Sequence, residues 1–355
     1  MSRLCLTLLC LAFSPLLAAG NGMQSGLSEA ARREGTLLVH STIDREQVAP
    51  LLAAFQARYP FIRVQYRELN SADIYRRALL GNADSGDVLW SSAMDLQVKL
   101  VNDGHALRYR SAEKEALPDW ASWRDEVYGT TYEPVVFAYH RQRVAPASMP
   151  QTHTALRRAL RAQASHWRVA TYDVEASGAG YLFFSQDSRH NAEFWDLAAA
   201  LGSSVRFQEG NSLTLLRRLQ QGEADIAYNV LGPYAVSFAR HQPQVGWVLP
   251  QDYALVVTRL MLIHKAARHT AAARLWTDFV LSRDGQQVLA QSSGLPPIRE
   301  DLPRQLGTID LKRNAANLRP IQVGSGLLVY LDTAKKSLFL KRWREQLPAS
   351  NRPTH

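Results

Sequence analysis

Cysteine is almost missing from this chain. Two occur in 355 residues, Cys5 and Cys10, both in the first ten. Past them there is no thiol, which excludes disulfide staples, a cysteine nucleophile and thiolate metal sites. The ten histidines are scattered, and neither His-x-His nor His-Glu-x-x-His occurs, so a catalytic zinc site lacks support. Gly-x-Ser-x-Gly is absent too, and nothing positive argues for an enzyme. No run of five like charges exists despite a net charge of +9. The basic pairs Arg76-Arg77, Arg157-Arg158 and Arg217-Arg218 fall on expected helices and read as solvated faces, not as a nucleic-acid stripe. Beyond the N-terminus no apolar segment approaches the length of a membrane span.

What is present begins with a leader. Arg3 precedes the apolar run Leu4–Leu17, broken by Pro15, and Ala18-Ala19-Gly20 supplies small residues for cleavage. This is the pattern of a secretory signal peptide, expected over residues 1–20. The remaining chain of about 335 residues favours two domains over one. With 46% hydrophobic residues and 21% charged it can build a sizeable core.

The most informative stretch is Thr36–Pro60. A short apolar strand, Leu37–His40, meets Ser41 and Thr42, and a helix follows with Val48, Leu51, Leu52 and Phe55 on one face. A strand entering a helix through hydroxyls leaves free backbone N–H groups and a positive dipole end at one spot, which suits anions. Asp44 stands at capping-box spacing from Ser41, but Pro50 pushes the expected helix start past it, to about Glu46, and frees its carboxylate. The junction recurs where Asp87–Trp90 meets Ser91-Ser92, with Asp95 three residues on, and where Arg168–Tyr172 leads to Ser177-Gly178-Ala179-Gly180. Asn70 should cap another helix, with Asp73 at the box position. Alternating strands and helices imply an α/β fold with largely parallel sheets, ligands lying beyond the carboxyl ends of the strands. Of the residues closing the strand Ala224–Val230, Asn229 is the better binding candidate, and Tyr228 and Tyr234 read as packing.

In order, the segments LLVHSTIDREQVAPLLAAFQARYP, VQYRELNSADIYRR, DVLWSSAMD, YDVEASGAGYLFF, GEADIAYNV and RLMLIHKAARHTAAARLWTDFVLSRDGQQVLAQSSGLPPIR cover most of the chain. Together they resemble periplasmic substrate-binding proteins of ATP-driven (ABC) importers, in the branch that includes ferric-ion-binding and hexose-phosphate-binding members. The resemblance implies a two-lobed α/β clamshell of type II, each lobe a mixed sheet flanked by helices, with two chain crossings. Lobe one would hold residues 36–133 and 254–345, lobe two 134–253. Carried over by motif, Ser41, Thr42, Ser91 and Ser92 would face the ligand from lobe one, and Ser177, Gly178, Ala179 and Asn229 from lobe two. Thr131 and Glu133 in the crossing are further candidates. The resemblance implies no cofactor, a periplasmic monomer, and delivery to an inner-membrane permease, or alternatively to the ectodomain of a sensor kinase. Ferric-binding members commonly carry adjacent tyrosines after the strand matching Ala224–Val230. Here that place reads Tyr228-Asn229-Val230-Leu231, and a histidine used by some members falls near Asp44. The expectation is therefore a small anion, an organic phosphate or carboxylate, with ferric iron as the alternative.

Overall fold

The computed structural model describes residues 16–162 and 167–348, with side chains from residue 25 onward. Most of the expected leader lies outside the described residues; its last part begins helix α1 (Leu16–Glu34), which packs on a later helix, α10. Alternation then starts: β1 (Thr36–Ser41), α2 (Arg45–Arg58), β2 (Arg63–Glu68), α3 (Ser71–Ala78), β3 (Val88–Ser91), α4 (Met94–Asn102), and the short strands β4 (Ser122–Trp123) and β5 (Val127–Gly129). A later strand, β12 (Leu260–Ile263), completes a sheet in the order β2-β1-β3-β12-β5-β4. Its first three strands are parallel, and β12 runs antiparallel to β3 and β5. Helices α10 (Thr270–Leu281) and α11 (Arg283–Gln291) cover this sheet together with α2, and Phe55 and Trp90 meet Trp276 edge-on. These elements make lobe one.

Helix α2 begins at Arg45, a residue earlier than Pro50 suggested, and Pro50 lies in its second turn. The helix survives because its buried residues Val48, Leu51 and Phe55 anchor the inner face, which outweighs one missing hydrogen bond. Asp44 is its N-cap by position, and its side chain caps nothing. In α4 the N-cap is Ala93, so the pair Ser92 and Asp95 forms no capping box. Asp95 is buried instead, accepting a hydrogen bond from Leu96 N at 2.9 Å, and burial pushes its carboxyl up to about 6. A carboxyl raised in the fold supports folding in its protonated form. That support is complete below the unfolded value, near 4, and is lost as pH rises through about 6. Asp95→Asn is therefore expected to be more stable than the parent at pH 7.5 by about 2 kcal/mol, a gain shrinking toward zero at pH 4. Urea titrations across that range check it; a pH-independent difference would exclude a titrating Asp95 as the cause.

Lobe two opens with β6 (Glu133–His140) and runs through α5 (His153–Ala162), β7 (Val169–Tyr172), α6 (Gly178–His190), α7 (Phe194–Ser204), β8 (Val205–Glu209), α8 (Ser212–Gln220), β9 (Ile226–Leu231), α9 (Gly232–His241), β10 (Val245–Val248) and β11 (Ala254–Val257). After lobe one is completed the chain adds the hairpin β13 (Gln305–Leu306) and β14 (Ile309–Asp310), then β15 (Leu318–Pro320). The second sheet has the order β15-β11-β6-β9-β7-β8, with β10 beside β6. The crossings lie at 130–132, between β5 and β6, and at Thr258–Arg259, between β11 and β12. The second falls a few residues later than expected, because β11 still pairs with β6.

The C-terminal segment also departs from the expected boundaries: β15 pairs with β11, and α12 (Thr333–Gln346) packs on α7. Trp343, fully buried, carries α12 into the lobe-two core against Phe184, with ring centroids 4.8 Å apart. Gly202 permits this approach; a Cβ there would stand 2.2 Å from the Gln346 carbonyl oxygen. The segment 305–346 thus belongs largely with lobe two, while its 3-10 turn Ser325–Leu331 contacts α4 of lobe one.

Candidate interlobe binding site

Three helices begin at the seam between the lobes. Asn70 precedes α3, and its side-chain oxygen accepts from Asp73 N at 2.8 Å. Ser177 precedes α6 and accepts from Gly180 N at 3.3 Å while its hydroxyl donates to the Gly210 carbonyl at 3.1 Å. Asn211 precedes α8 and accepts from Thr214 N at 3.0 Å. Each helix follows a strand whose carboxyl end points to the seam, the arrangement that parallel α/β pairing imposes. All three starts border one cavity of about 730 Å³. Thr42, Asp44, Glu68, Arg76 and Ser92 contribute from lobe one, Tyr172, Asp173, Ser212, Leu231 and Tyr234 from lobe two, and Arg259 from the crossing.

Arg259 links the parts. It is 1% exposed, and its Nε and Nη2 donate to the Glu133 carboxylate at 2.8 and 3.2 Å. Its Nη1 reaches the Thr42 carbonyl and hydroxyl at 3.2 and 3.3 Å, and the guanidinium stands 5.5 Å from the Tyr234 ring centre. Burial opposes the Arg259 charge, but the Glu133 carboxylate beside it more than offsets this, so the group is held protonated more firmly than usual. The Tyr234 hydroxyl donates to Asp44 across the seam. Burial raises the Tyr234 phenol, and Asp44 adds to the rise against Arg259. Tyr172 is pushed up to about 12 by burial, its hydroxyl 2.7 Å from that of Ser212. Both phenols are neutral at pH 7.

Of the residues expected to face a ligand, Thr42, Ser92, Ser177 and Ala179 border the cavity. Ser41 and Ser91 do not. Each ends its strand buried, its hydroxyl accepting from the backbone N–H two residues on, Ile43 at 3.1 Å and Ala93 at 3.2 Å. They shape the turns that present Thr42 and Ser92. Gly178 packs across the seam: a Cβ on it would lie 3.0 to 3.1 Å from Leu96, Ala93 and Ser71. Thr131 is buried at the crossing, donating to Glu133 Oε1 at 2.7 Å and accepting from Arg259 N at 2.9 Å, and Glu133 is wholly buried beneath Arg259.

Asn229 is 2% exposed, turned into the lobe-two core with its amide on Asp187 at 2.7 Å. Its φ of +61° and the register shift between β6 and β9 mark a bulge there. Asp187 holds that bulge by also accepting from the Tyr228 and Tyr253 hydroxyls, at 2.8 and 2.9 Å. Tyr234 reads as packing in the sequence, yet it borders the cavity. The site residues that the sequence does not mark for binding include Arg259, Tyr172, Asn211, Ser212, Glu68 and Arg76. Gly210-Asn211-Ser212 carries the same strand–cap–helix signal as Ser177, but the strand before it, β8, has one buried residue and no apolar run to mark it. Arg259 showed only as a polar break in the apolar run Tyr253–His264.

Two lobes, two crossings and a polar cavity between helix starts make a clamshell able to hold a small solute. Residues 38–294 match the family described as bacterial extracellular solute-binding protein, and the chain belongs to that family. It is similar over 88% of its length, at 36% identity and a TM-score of 0.82, to the substrate-binding protein of an ABC transporter from Agrobacterium tumefaciens, of which 94% is covered. Iron-bound HitA from Pseudomonas aeruginosa shares the fold at 16% identity and a TM-score of 0.72, covering 88% of this chain and 99% of that one. AfuA from Actinobacillus pleuropneumoniae, with fructose-6-phosphate bound, does so at 16% and 0.73, covering 88% and 98%. No curated protein matches the sequence. The protein is thus a substrate-binding transport component and not an enzyme. Among the described residues no helix is long and apolar enough to cross a membrane.

Proposed function

We propose that the protein is exported to the periplasm behind a cleaved signal peptide, captures a small anion, an organic phosphate or carboxylate, between its lobes, and hands it to the permease of an ABC importer. One observation carries this reading: helices α3, α6 and α8, drawn from both lobes, all begin at the same cavity. Their N–H groups and dipoles act together on whatever charge lies there. Ser92 supports it. The residue is 7% exposed, borders the cavity, and its hydroxyl makes no hydrogen bond among the described residues. Ferric iron is the less favoured cargo. Tyr172 and Tyr234 would have to lose protons that burial holds firmly, and no cluster of three His, Cys, Asp or Glu suited to a metal occurs among the described residues.

Thermal melting of ligand-stripped protein against organic phosphates, mono- to tricarboxylates and ferric citrate tests it. An anion at a hundredfold excess over its Kd should add about 2.7 kcal/mol and shift the midpoint by several degrees. If ferric salts alone shift it, the anion reading fails.

A further inference from the structure

The charges around the cavity do not balance for a plain anion. Arg76 and Arg259 border it, but each already has a carboxylate partner, Asp73 and Glu133. Asp44, Glu68 and Asp173 border it as well, and none of the three forms an ion pair among the described residues. Each is held by one oxygen and leaves the other without a hydrogen bond among those residues. Asp44 Oδ2 takes the Tyr234 hydroxyl, Glu68 Oε2 takes Arg45 N at 2.8 Å, and Asp173 Oδ1 takes Glu175 N and Ala176 N, both at 2.9 Å. The carboxylates are thus fixed in place with acceptor capacity to spare. A dianion entering this cavity would find the helix starts and Ser92, but also three carboxylates with no cationic partner among the described residues.

We propose, building on the anion reading above, that the ligand is a zwitterion: its phosphate or carboxylate sits among the helix starts and Ser92, and a protonated amine on the same molecule is received by Asp44, Glu68 and Asp173. The two halves of the cavity chemistry then serve one molecule. The cleft selects against simple anions by charge, since an unpaired carboxylate held near an anion repels it. An alcohol in place of the amine satisfies the free oxygens as a donor but leaves the charges standing.

The experiment is calorimetric titration of the ligand-stripped full chain with matched series: aminoalkyl phosphates and ω-amino acids of two to five carbons, each beside its hydroxy and des-amino analogue, plus the bare alkylamines. At least one zwitterion should bind about tenfold or more tightly than both its analogues. Asp44→Asn and Asp173→Asn, which keep the local acceptor oxygens, should erase that preference from both sides, weakening binding of the zwitterion and tightening that of its des-amino analogue, from which each substitution removes a repelling charge. Equal binding of a zwitterion and its hydroxy or des-amino partner overturns the inference and leaves the anion reading intact. Binding of bare amines with no need for an acid group sinks both, and no response to any zwitterion overturns the inference outright. Melting curves of the two variants, unchanged from the parent, separate lost preference from lost folding.

Discussion

Replacing Glu133 by alanine is expected to destabilise the protein by about 3–5 kcal/mol, because it strands the buried Arg259 charge without a partner. Coulomb attraction between the two is bought with desolvation of both, so the pair gives little net stability while intact. Removing one member leaves the whole penalty. The location sharpens the effect. Glu133 follows the first crossing and Arg259 sits in the second, and Thr131 bonds to both residues. The pair therefore staples the two connectors about which the lobes would move. A midpoint drop on the order of 10 °C is expected in thermal unfolding. The double variant Glu133→Leu with Arg259→Met should recover much of the loss, since apolar groups of similar volume replace such pairs well. Urea unfolding of the parent, the single variant and the double variant checks this. If Glu133→Ala costs less than about 1 kcal/mol, the pair is not desolvated as described.

The contrast between what was readable and what was not follows from how the residues signal. Asn70, Ser177 and Asn211 each cap a helix after a strand, and a cap is a local event with a local sequence mark. Asn70 and Ser177 were read from that mark alone. Ser41 and Ser91 each stand one position before a hydroxyl that lines the cavity, Thr42 and Ser92, and there the side chain folds back onto its own turn. One residue of phase along a strand end decides which hydroxyl faces the cleft, and no local pattern fixes that phase. Asn229 was misplaced for another reason. Its partner Asp187 lies on α6, so the bulge it occupies depends on a contact 42 residues away in the chain. Arg259 is the extreme case. A lone arginine in an apolar stretch looks like an interruption until Glu133, 126 residues earlier, is brought beneath it. The lobes themselves were legible because strand–helix alternation is periodic. The return of the C-terminus to lobe two was not, because it rests on the three-residue pairing of β15 with β11 and on one tryptophan.

Ser177→Asp should abolish ligand binding while leaving the fold in place, and it is the variant that tests the helix-start chemistry most directly. Aspartate is as good an N-cap as serine, so the carboxylate can still accept from Gly180 N. What changes is charge at the mouth of α6. A carboxylate about 4 Å from a bound anion, at an effective dielectric near 20, opposes it by about 4 kcal/mol, close to a thousandfold in Kd. The substitution also gives up the donation to the Gly210 carbonyl, a change in the start of α8 that Ser177→Asn imposes far more mildly, since the amide can still donate. Asparagine caps equally well and carries no charge, so it is the control. Affinity for the best-binding anion, measured by calorimetry, should fall beyond detection in Ser177→Asp and by less than about tenfold in Ser177→Asn. Circular dichroism and melting of both variants should stay near the parent. Equal losses in the two would mean that the size or hydroxyl of Ser177 matters and the charge does not, and the convergence of α3, α6 and α8 would then be architecture without electrostatic purpose.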